Sequence, residues 1–211
     1  RLFLQFDGAA HIATVYLNGT ELATHRCGYT AFRVEITEAV RTGNNCIAVK
    51  LDTTENSEVP PFGFVIDYLT YGGLYREVWL DVKEPSYIDD VYVTTPTLNQ
   101  LRLQVTAVNA EGCKVQAELM DAEGAVVLTQ TGPATGAPWV LVYPQAKAWD
   151  LENPYRYTCR VTLLCSDDSV LDTQEVKFGF RTIQWQDGKF RLNGEEIFLR
   201  GLNRHQSFPY V

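Results

Sequence analysis

Apolar and polar side chains alternate along most of the chain with a period of two residues. Residues 101–107 place two leucines, a valine and an alanine on one face, and arginine, glutamine and threonine on the other. A strand with one buried face produces this pattern. It recurs over residues 115–119 and 157–163, and no segment carries the 3.6-residue stripe of an amphipathic helix. The sequence therefore predicts an all-β fold.

Asparagine–glycine pairs mark two tight turns. Asn18-Gly19 and Asn193-Gly194 each separate two runs of strand-like sequence. Both residues of such a pair tolerate the positive φ angles of a two-residue hairpin turn. We therefore predict a hairpin at each pair, the second one within residues 189–203.

Changes in pattern divide the chain into three segments. Pro85, which cannot donate to a sheet, separates a β-rich segment of residues 1–84 from residues 85–181. The middle segment holds roughly seven short strands, the number in an immunoglobulin-like sandwich. Residues 182–211 are too few for a domain and are typical of the beginning of a larger one. Within the first segment, residues 53–73 form a long aperiodic loop, and such loops are commonly functional.

The chain opens at Arg1 directly in a strand-like pattern, without methionine and without a signal peptide. We therefore expect the natural N-terminus to lie upstream. A first domain that lacks its N-terminal strands would expose an unpaired sheet edge near Arg1, and such edges promote association.

Composition narrows the classes of partner. The 211 residues are 45% hydrophobic and 12% aromatic, enough for a buried core. A formal net charge of -8 and a pI near 4.9 argue against nucleic acid and against an anionic membrane surface. No stretch approaches the roughly 18 apolar residues of a membrane span. A neutral partner such as a sugar fits this balance better.

The five cysteines do not form a recognisable metal or redox motif. Their number is odd and none has CxxC spacing. We expect reduced, buried thiols and a cytoplasmic protein. They are Cys27, Cys46, Cys113, Cys159 and Cys165.

Four stretches, in order, carry a family resemblance. They are residues 13–19 (ATVYLNG) with 28–32 (GYTAF), residues 71–80 (YGGLYREVWL), residues 149–157 (WDLENPYRY), and residues 178–181 (FGFR) with 200–205 (RGLNRH). Together they resemble glycoside hydrolase family 2, and its β-galactosidases in particular. The resemblance implies a partial, sugar-binding-like jelly-roll domain, an immunoglobulin-like β-sandwich, and a short C-terminal β-hairpin that would open a (β/α)₈ barrel.

The resemblance also implies a reaction. A retaining glycosidase uses two carboxyl groups about 5–5.5 Å apart, and the family places both on later barrel strands, beyond this chain. We therefore expect the intact enzyme to cleave terminal β-galactosides and this N-terminal fragment to be inactive alone. Glu195 and Glu196 are adjacent in a turn and are expected to be solvated rather than catalytic.

Three residues are implied to bind substrate. The family places a substrate-binding histidine where His205 stands, and Asn203 belongs to the same motif. Asp67, nine residues before Arg76, matches an aspartate that reaches the active site and contacts both the sugar and a monovalent cation. A carboxylate offers only acceptors and suits both roles. Alternatively, Asp67 fixes its own loop and His205 is a capping or packing residue.

Other residues have structural interpretations. Arg76, Glu77 and Arg181 are expected to hold structure at domain seams, and His11 and His25 to be surface or packing residues. Four loop aromatics are expected to anchor the loop, with stacking on a sugar ring as the alternative: Phe62, Phe64, Tyr68 and Tyr71.

Several functions stay open at this point. Within the family, β-glucuronidase, β-mannosidase and β-glucosaminidase are alternatives to β-galactosidase. A free-standing carbohydrate-binding module is a different class, but it would not need the tail from residue 189 to 205. An adhesive immunoglobulin-like protein is a third. No cofactor is expected in the fragment, and a homo-oligomeric assembly is left open.

Overall fold

The protein is all-β, as the alternation predicts. The computed structural model describes residues 1–54, 56–60, 72–134 and 137–203. Across those residues it contains sixteen strands and no helix. The chain forms two compact units, one built from Arg1–Lys83 and the other from Glu84–Gly201.

The first unit consists of two three-stranded antiparallel sheets. Its strands are β1 (Leu2–Phe6), β2 (Ile12–Leu17), β3 (Thr20–Arg26), β4 (Phe32–Glu35), β5 (Ile47–Asp52) and β6 (Val78–Val82). One sheet has the order β4-β1-β6 and the other β3-β2-β5. Alternate side chains of both sheets share one core, which comprises Leu4, Phe6, Val15, Leu17, Val34 and Ile36.

The expectation of an unpaired edge near Arg1 is wrong. Strand β1 is the central strand of its sheet and pairs on both sides, with Phe3 opposite Glu35 of β4 and Asp81 of β6. The Arg1 guanidinium also binds the Glu35 carboxylate through two hydrogen bonds, of 2.8 and 2.6 Å. Both partner strands follow β1 by more than 25 residues, so local periodicity could not place them.

The second unit contains a seven-stranded sandwich. Its strands are β7 (Tyr87–Thr97), β8 (Gln100–Val108), β9 (Lys114–Met120), β10 (Val126–Pro133), β11 (Trp139–Val142), β12 (Tyr157–Leu164) and β13 (Val170–Phe178). They form a four-stranded sheet, β10-β9-β12-β13, and a three-stranded sheet, β11-β8-β7. This is the strand number and layering of an immunoglobulin-like fold. The fully buried side chains of the core include Ile88, Leu101, Leu103, Leu119, Leu141, Leu163 and Phe180.

A small third sheet follows the sandwich within the second unit. It consists of β14 (Ile183–Gln186), β15 (Lys189–Leu192) and β16 (Glu195–Glu196). The Asn193-Gly194 turn has the predicted positive φ angles, 54° and 88°. The sequence predicted a hairpin of two strands, but the structure has three. Strand β14 precedes the hairpin, and β16 spans only two residues. Strand β14 is joined through Asp187-Gly188, another pair suited to tight turns.

The expectation of buried thiols holds for one cysteine. All five are free, and Cys159, in β12, is the buried one, while Cys46 is exposed. The other four each lie one residue outside a strand end, and three of them, Cys27, Cys113 and Cys165, are half-buried. Burial raises the pKa of the Cys159 thiol to about 11. Hydrogen bonds from the Thr30 side chain and the Tyr29 backbone hold the pKa of Cys27 below its ordinary value.

Cys27 and Cys159 should differ sharply in reactivity, because the thiolate is the nucleophile and a lower pKa gives more thiolate at a given pH. We expect iodoacetamide to alkylate Cys27 at a lower pH than an ordinary thiol, and Cys159 only when the second unit unfolds. Peptide mass spectrometry across a pH series measures both. Thr30→Val should move the Cys27 midpoint to higher pH and leave Cys159 unchanged. Labelling of Cys159 in the folded chain as fast as that of exposed Cys46 would contradict the assignment.

Candidate functional site

The described part of the chain contains one of the three residues expected to bind substrate. Asn203 is exposed and follows β16 in irregular structure. Asp67 and His205 lie outside the described residues, so their proximity and the cation site implied for Asp67 stay predictions. The four loop aromatics also lie outside: Phe62, Phe64, Tyr68 and Tyr71.

The two ends of the stretch 53–73 are held together by the two residues before β2. Ala10 and Gly73 exchange backbone hydrogen bonds of 3.0 and 3.1 Å, and the His11 amide donates to the Asp52 carbonyl over 3.3 Å. The Asp52 carboxylate accepts from the Thr54 amide at 3.0 Å, and this bond lowers the pKa of Asp52. The chain segments that enter and leave the stretch containing Asp67 are therefore anchored at one place.

His11 lies at that anchor and is a buried residue rather than a surface one. It is 6% exposed, and its Nε2 atom has no hydrogen-bond partner within the described residues. A Cβ placed on Gly28 would lie 3.6 Å from His11 Cδ2, so the imidazole packs against the turn that follows β3. His25 packs as expected: its ring stacks on Phe32 with centroids 4.4 Å apart. No sequence pattern distinguished the two histidines.

Arg76 packs within the first unit, and the role at a domain seam expected from the sequence stays a prediction. Its guanidinium lies 5.4 Å from the centre of the Tyr75 ring, and the Tyr75 hydroxyl donates to the Gly28 carbonyl. A Cβ at Gly8 would meet Arg76 Cδ and Tyr75 Cζ at 3.0 Å each. The Glu77 carbonyl accepts from the backbone amide of residue 7. This arrangement fixes the end of β1 against the residues before β6.

Arg181 has a comparable role in the second unit. Its guanidinium covers the Trp149 ring at 4.8 Å from the ring centre, a distance at which a cation is attracted to the aromatic face. The Thr95 hydroxyl donates to the Arg181 carbonyl at 2.7 Å. Arg181 thus connects the segment that leads into β14 with strand β7 and with the residues before β12.

Glu195 and Glu196 lack the features of a catalytic pair. They are consecutive residues of β16, and successive side chains of a strand point to opposite faces. Lys189 Nζ donates to the Glu196 carboxylate at 2.6 Å, and this bond holds the Glu196 pKa below its ordinary value. A general acid needs a raised pKa instead.

The described residues offer no group of three or more His, Cys, Asp or Glu side chains that could hold a metal ion. They also include no helix long and apolar enough to cross a membrane.

Proteins named as β-galactosidases or a β-glucuronidase align with this chain over 99–100% of its length. The β-galactosidase of Thermoanaerobacter pseudethanolicus is 36% identical over 225 residues, covering 100% of this chain and 30% of that protein. The β-galactosidase of Thermoanaerobacterium thermosulfurigenes is 35% identical over 227 residues. A candidate β-glucuronidase of Formosa agariphila is 32% identical over 218 residues, covering 99% of this chain and 26% of the relative.

Solved structures share the fold. The β-glucuronidase of Ruminococcus gnavus superposes with a TM-score of 0.86 at 26% identity, over 100% of this chain and 37% of that chain. The β-glucuronidase of Bifidobacterium dentium gives a TM-score of 0.84 at 26% identity, over 93% and 39%. The chain thus spans about a third of the length of the proteins it matches.

Two domain models match separate parts of the chain. Residues 1–60 match the galactose-binding domain-like model of glycosyl hydrolase 2, and residues 86–181 match the model of glycosyl hydrolases family 2. The two matches together cover about three quarters of the sequence. Together with the relatives that align over the full chain and the structures that superpose on it, these two matches show that the chain belongs to glycosyl hydrolases family 2.

Proposed function

We propose that this chain is the non-catalytic β-domain part of a retaining glycosidase that hydrolyses terminal β-galactosides. One observation carries the proposal: two proteins named β-galactosidase align over the full chain with identities of 36% and 35%. The charge balance agrees, because a net charge of -8 disfavours an anionic substrate more than a neutral one.

β-Glucuronidase is the second candidate, and a specific observation favours it. The Ruminococcus gnavus and Bifidobacterium dentium structures that superpose on the chain are both β-glucuronidases. The two substrates differ chemically, since a glucuronide carries a carboxylate where a galactoside carries a neutral hydroxymethyl group. A glucuronidase therefore needs a cation or strong donor at that position.

In this proposal the β-domains support the active site rather than perform the reaction. Asp67 accepts hydrogen bonds from a sugar hydroxyl and ligates a monovalent cation, while Asn203 and His205 bind further hydroxyls. The anchoring of both ends of residues 53–73 near His11 supports the assignment for Asp67, because a loop that places a carboxylate in a pocket must have fixed ends.

Hydrolysis assays test the proposal. We expect the complete reading frame that contains this sequence to cleave p-nitrophenyl β-D-galactoside with a kcat/KM about tenfold or more above that for the β-D-glucuronide. The first sugar product should retain the β configuration by proton NMR. The 211-residue chain alone should show no turnover, because Glu195 and Glu196 are not arranged as a catalytic pair.

Two outcomes would contradict this. A preference for the glucuronide would select the second candidate. Turnover by the 211-residue chain that disappears in Glu196→Gln would show that the catalytic carboxyl groups lie within this chain. The matched control is Asp90→Asn, at an exposed position of β7.

A further inference from the structure

Asn193 bonds to two different parts of the second unit. It is the first residue of the turn between β15 and β16, with a φ of 54°. Its Nδ2 donates to the Trp149 carbonyl at 2.9 Å, and its Oδ1 accepts from the Thr182 amide at 3.0 Å. Its own amide donates to the Thr182 carbonyl at 2.8 Å. Both side-chain bonds are partly buried, so one asparagine connects the small sheet to residue 149 of the sandwich.

Trp149 is itself fixed by close contacts with the end of the sandwich. Its amide donates to the Phe180 carbonyl at 2.8 Å. A Cβ on Gly179 would lie 2.6 Å from Trp149 Cβ and 2.9 Å from its Cδ1, distances that no side chain permits. The Arg181 guanidinium covers the same ring. The carbonyl that Asn193 binds therefore belongs to a residue with little freedom to move.

A second turn in the same sheet shows that these bonds are not needed to make a turn. Asp187, between β14 and β15, has a φ of 53° and precedes a glycine with a φ of 72°. Asn193 and Gly194 have φ angles in the same left-handed region. Asp187 is exposed, however, and no hydrogen bond of its side chain is seen within the described residues. The contacts of Asn193 thus exceed what the hairpin requires.

We propose that Asn193 is a positioning residue that fixes the sheet β14–β16 in one orientation on the β-sandwich. The next step rests on the proposed function. The family places the first hairpin of the catalytic domain at this sheet, so the orientation of the sheet would also set the orientation of that domain. Neither of the two side-chain hydrogen bonds of Asn193, to Thr182 and to Trp149, belongs to a strand ladder. Losing them therefore releases the orientation of the sheet and leaves its internal pairing intact.

The test uses three variants of the ¹⁵N-labelled 211-residue chain. Asn193→Gly keeps the positive φ and removes both side-chain bonds. Asn193→Asp keeps the acceptor for Thr182 and removes the donor to Trp149. Asp187→Gly is the control, because it makes a comparable change in a turn with similar φ angles. Amide hydrogen exchange reports the Thr182 bond, and residual dipolar couplings report the orientation of β14 and β15 relative to β7–β13.

We expect Asn193→Gly to speed exchange of the Thr182 amide by roughly tenfold or more. The couplings of β14 and β15 should still fit one rigid sheet, but that sheet should no longer share the alignment of the sandwich. Asn193→Asp should change the alignment while preserving the Thr182 amide, and Asp187→Gly should change neither. An unchanged alignment in both Asn193 variants would overturn the proposal, and so would an equal change in Asp187→Gly.

An activity measurement separates this inference from the proposed function. In the complete reading frame, Asn193→Gly should lower kcat by about tenfold with a smaller change in KM, since misplacing groups by about 1 Å slows chemistry strongly. Asp187→Gly should retain the starting activity. If the Asn193 variants change the alignment but the unmodified complete protein cleaves neither galactoside nor glucuronide, the proposed function is refuted and the positioning role is upheld. Unchanged kcat in an active Asn193→Gly protein would refute the catalytic consequence.

Discussion

Replacing Phe180 with alanine is expected to destabilise the second unit by about 3–5 kcal/mol. The ring is 0% exposed and lies at the end of the sandwich core. It makes edge-to-face contacts with Tyr157 and Phe178, each with centroids 5.2 Å apart. Truncation removes these contacts and leaves a cavity between rings that cannot close without moving the strands. Urea unfolding followed by circular dichroism measures the loss.

Phe198→Ala is the matched control for this substitution. Phe198 is 85% exposed, and a surface change of this kind is expected to alter stability by less than about 0.5 kcal/mol. Alkylation of Cys159 identifies which transition belongs to the second unit, since that thiol is buried in β12. Equal unfolding midpoints for the two phenylalanine variants would contradict the core assignment of Phe180.

The second large effect concerns substrate contacts in the complete reading frame. We expect Asp67→Ala and His205→Ala each to lower kcat/KM for an aryl β-galactoside by about tenfold to a hundredfold. The reason is that each would remove a hydrogen bond to a sugar hydroxyl, and Asp67→Ala would also remove a ligand of the cation. Melting temperatures should change little. If Asp67 ligates a monovalent cation, Asp67→Ala should also lose any activation by sodium or potassium.

The alternative interpretations predict the opposite pattern. An aspartate that only fixes its own loop would lower the melting temperature of the 211-residue chain when replaced, and would leave catalysis intact. A packing or capping histidine would do the same. Asp90→Asn, at an exposed position of β7, is the control for both measurements. Kinetics and thermal unfolding of each variant distinguish the two roles.

Strand identity could be predicted here because burial of one face imposes a period of two. Strands β8 and β12 alternate buried and more exposed residues over the segments where the sequence alternates. The turn at Asn18-Gly19 was equally accessible, since few residue pairs accept φ angles of 53° and 85°. Both signals act between near neighbours, so one sequence suffices to detect them.

Strand pairing and burial could not be obtained in the same way. The partners of β1 lie more than 25 residues away in the chain, and alternation is the same for central and edge strands. The cysteines show a related limit: exposed Cys46 lies one residue before β5, whereas buried Cys159 lies within β12. His11 resembles any polar residue before a strand, yet it is buried where Ala10 and His11 bond to Gly73 and Asp52.

Asn193 combines both kinds of information. Its sequence context, asparagine before glycine between strand-like runs, is enough to predict a turn, because the φ preference is a property of the two residues themselves. The hydrogen bond from its side chain to Trp149 joins positions 44 residues apart, and no local preference encodes it. That contact depends on how the sandwich and the small sheet pack together, so it becomes visible only once the chain has folded.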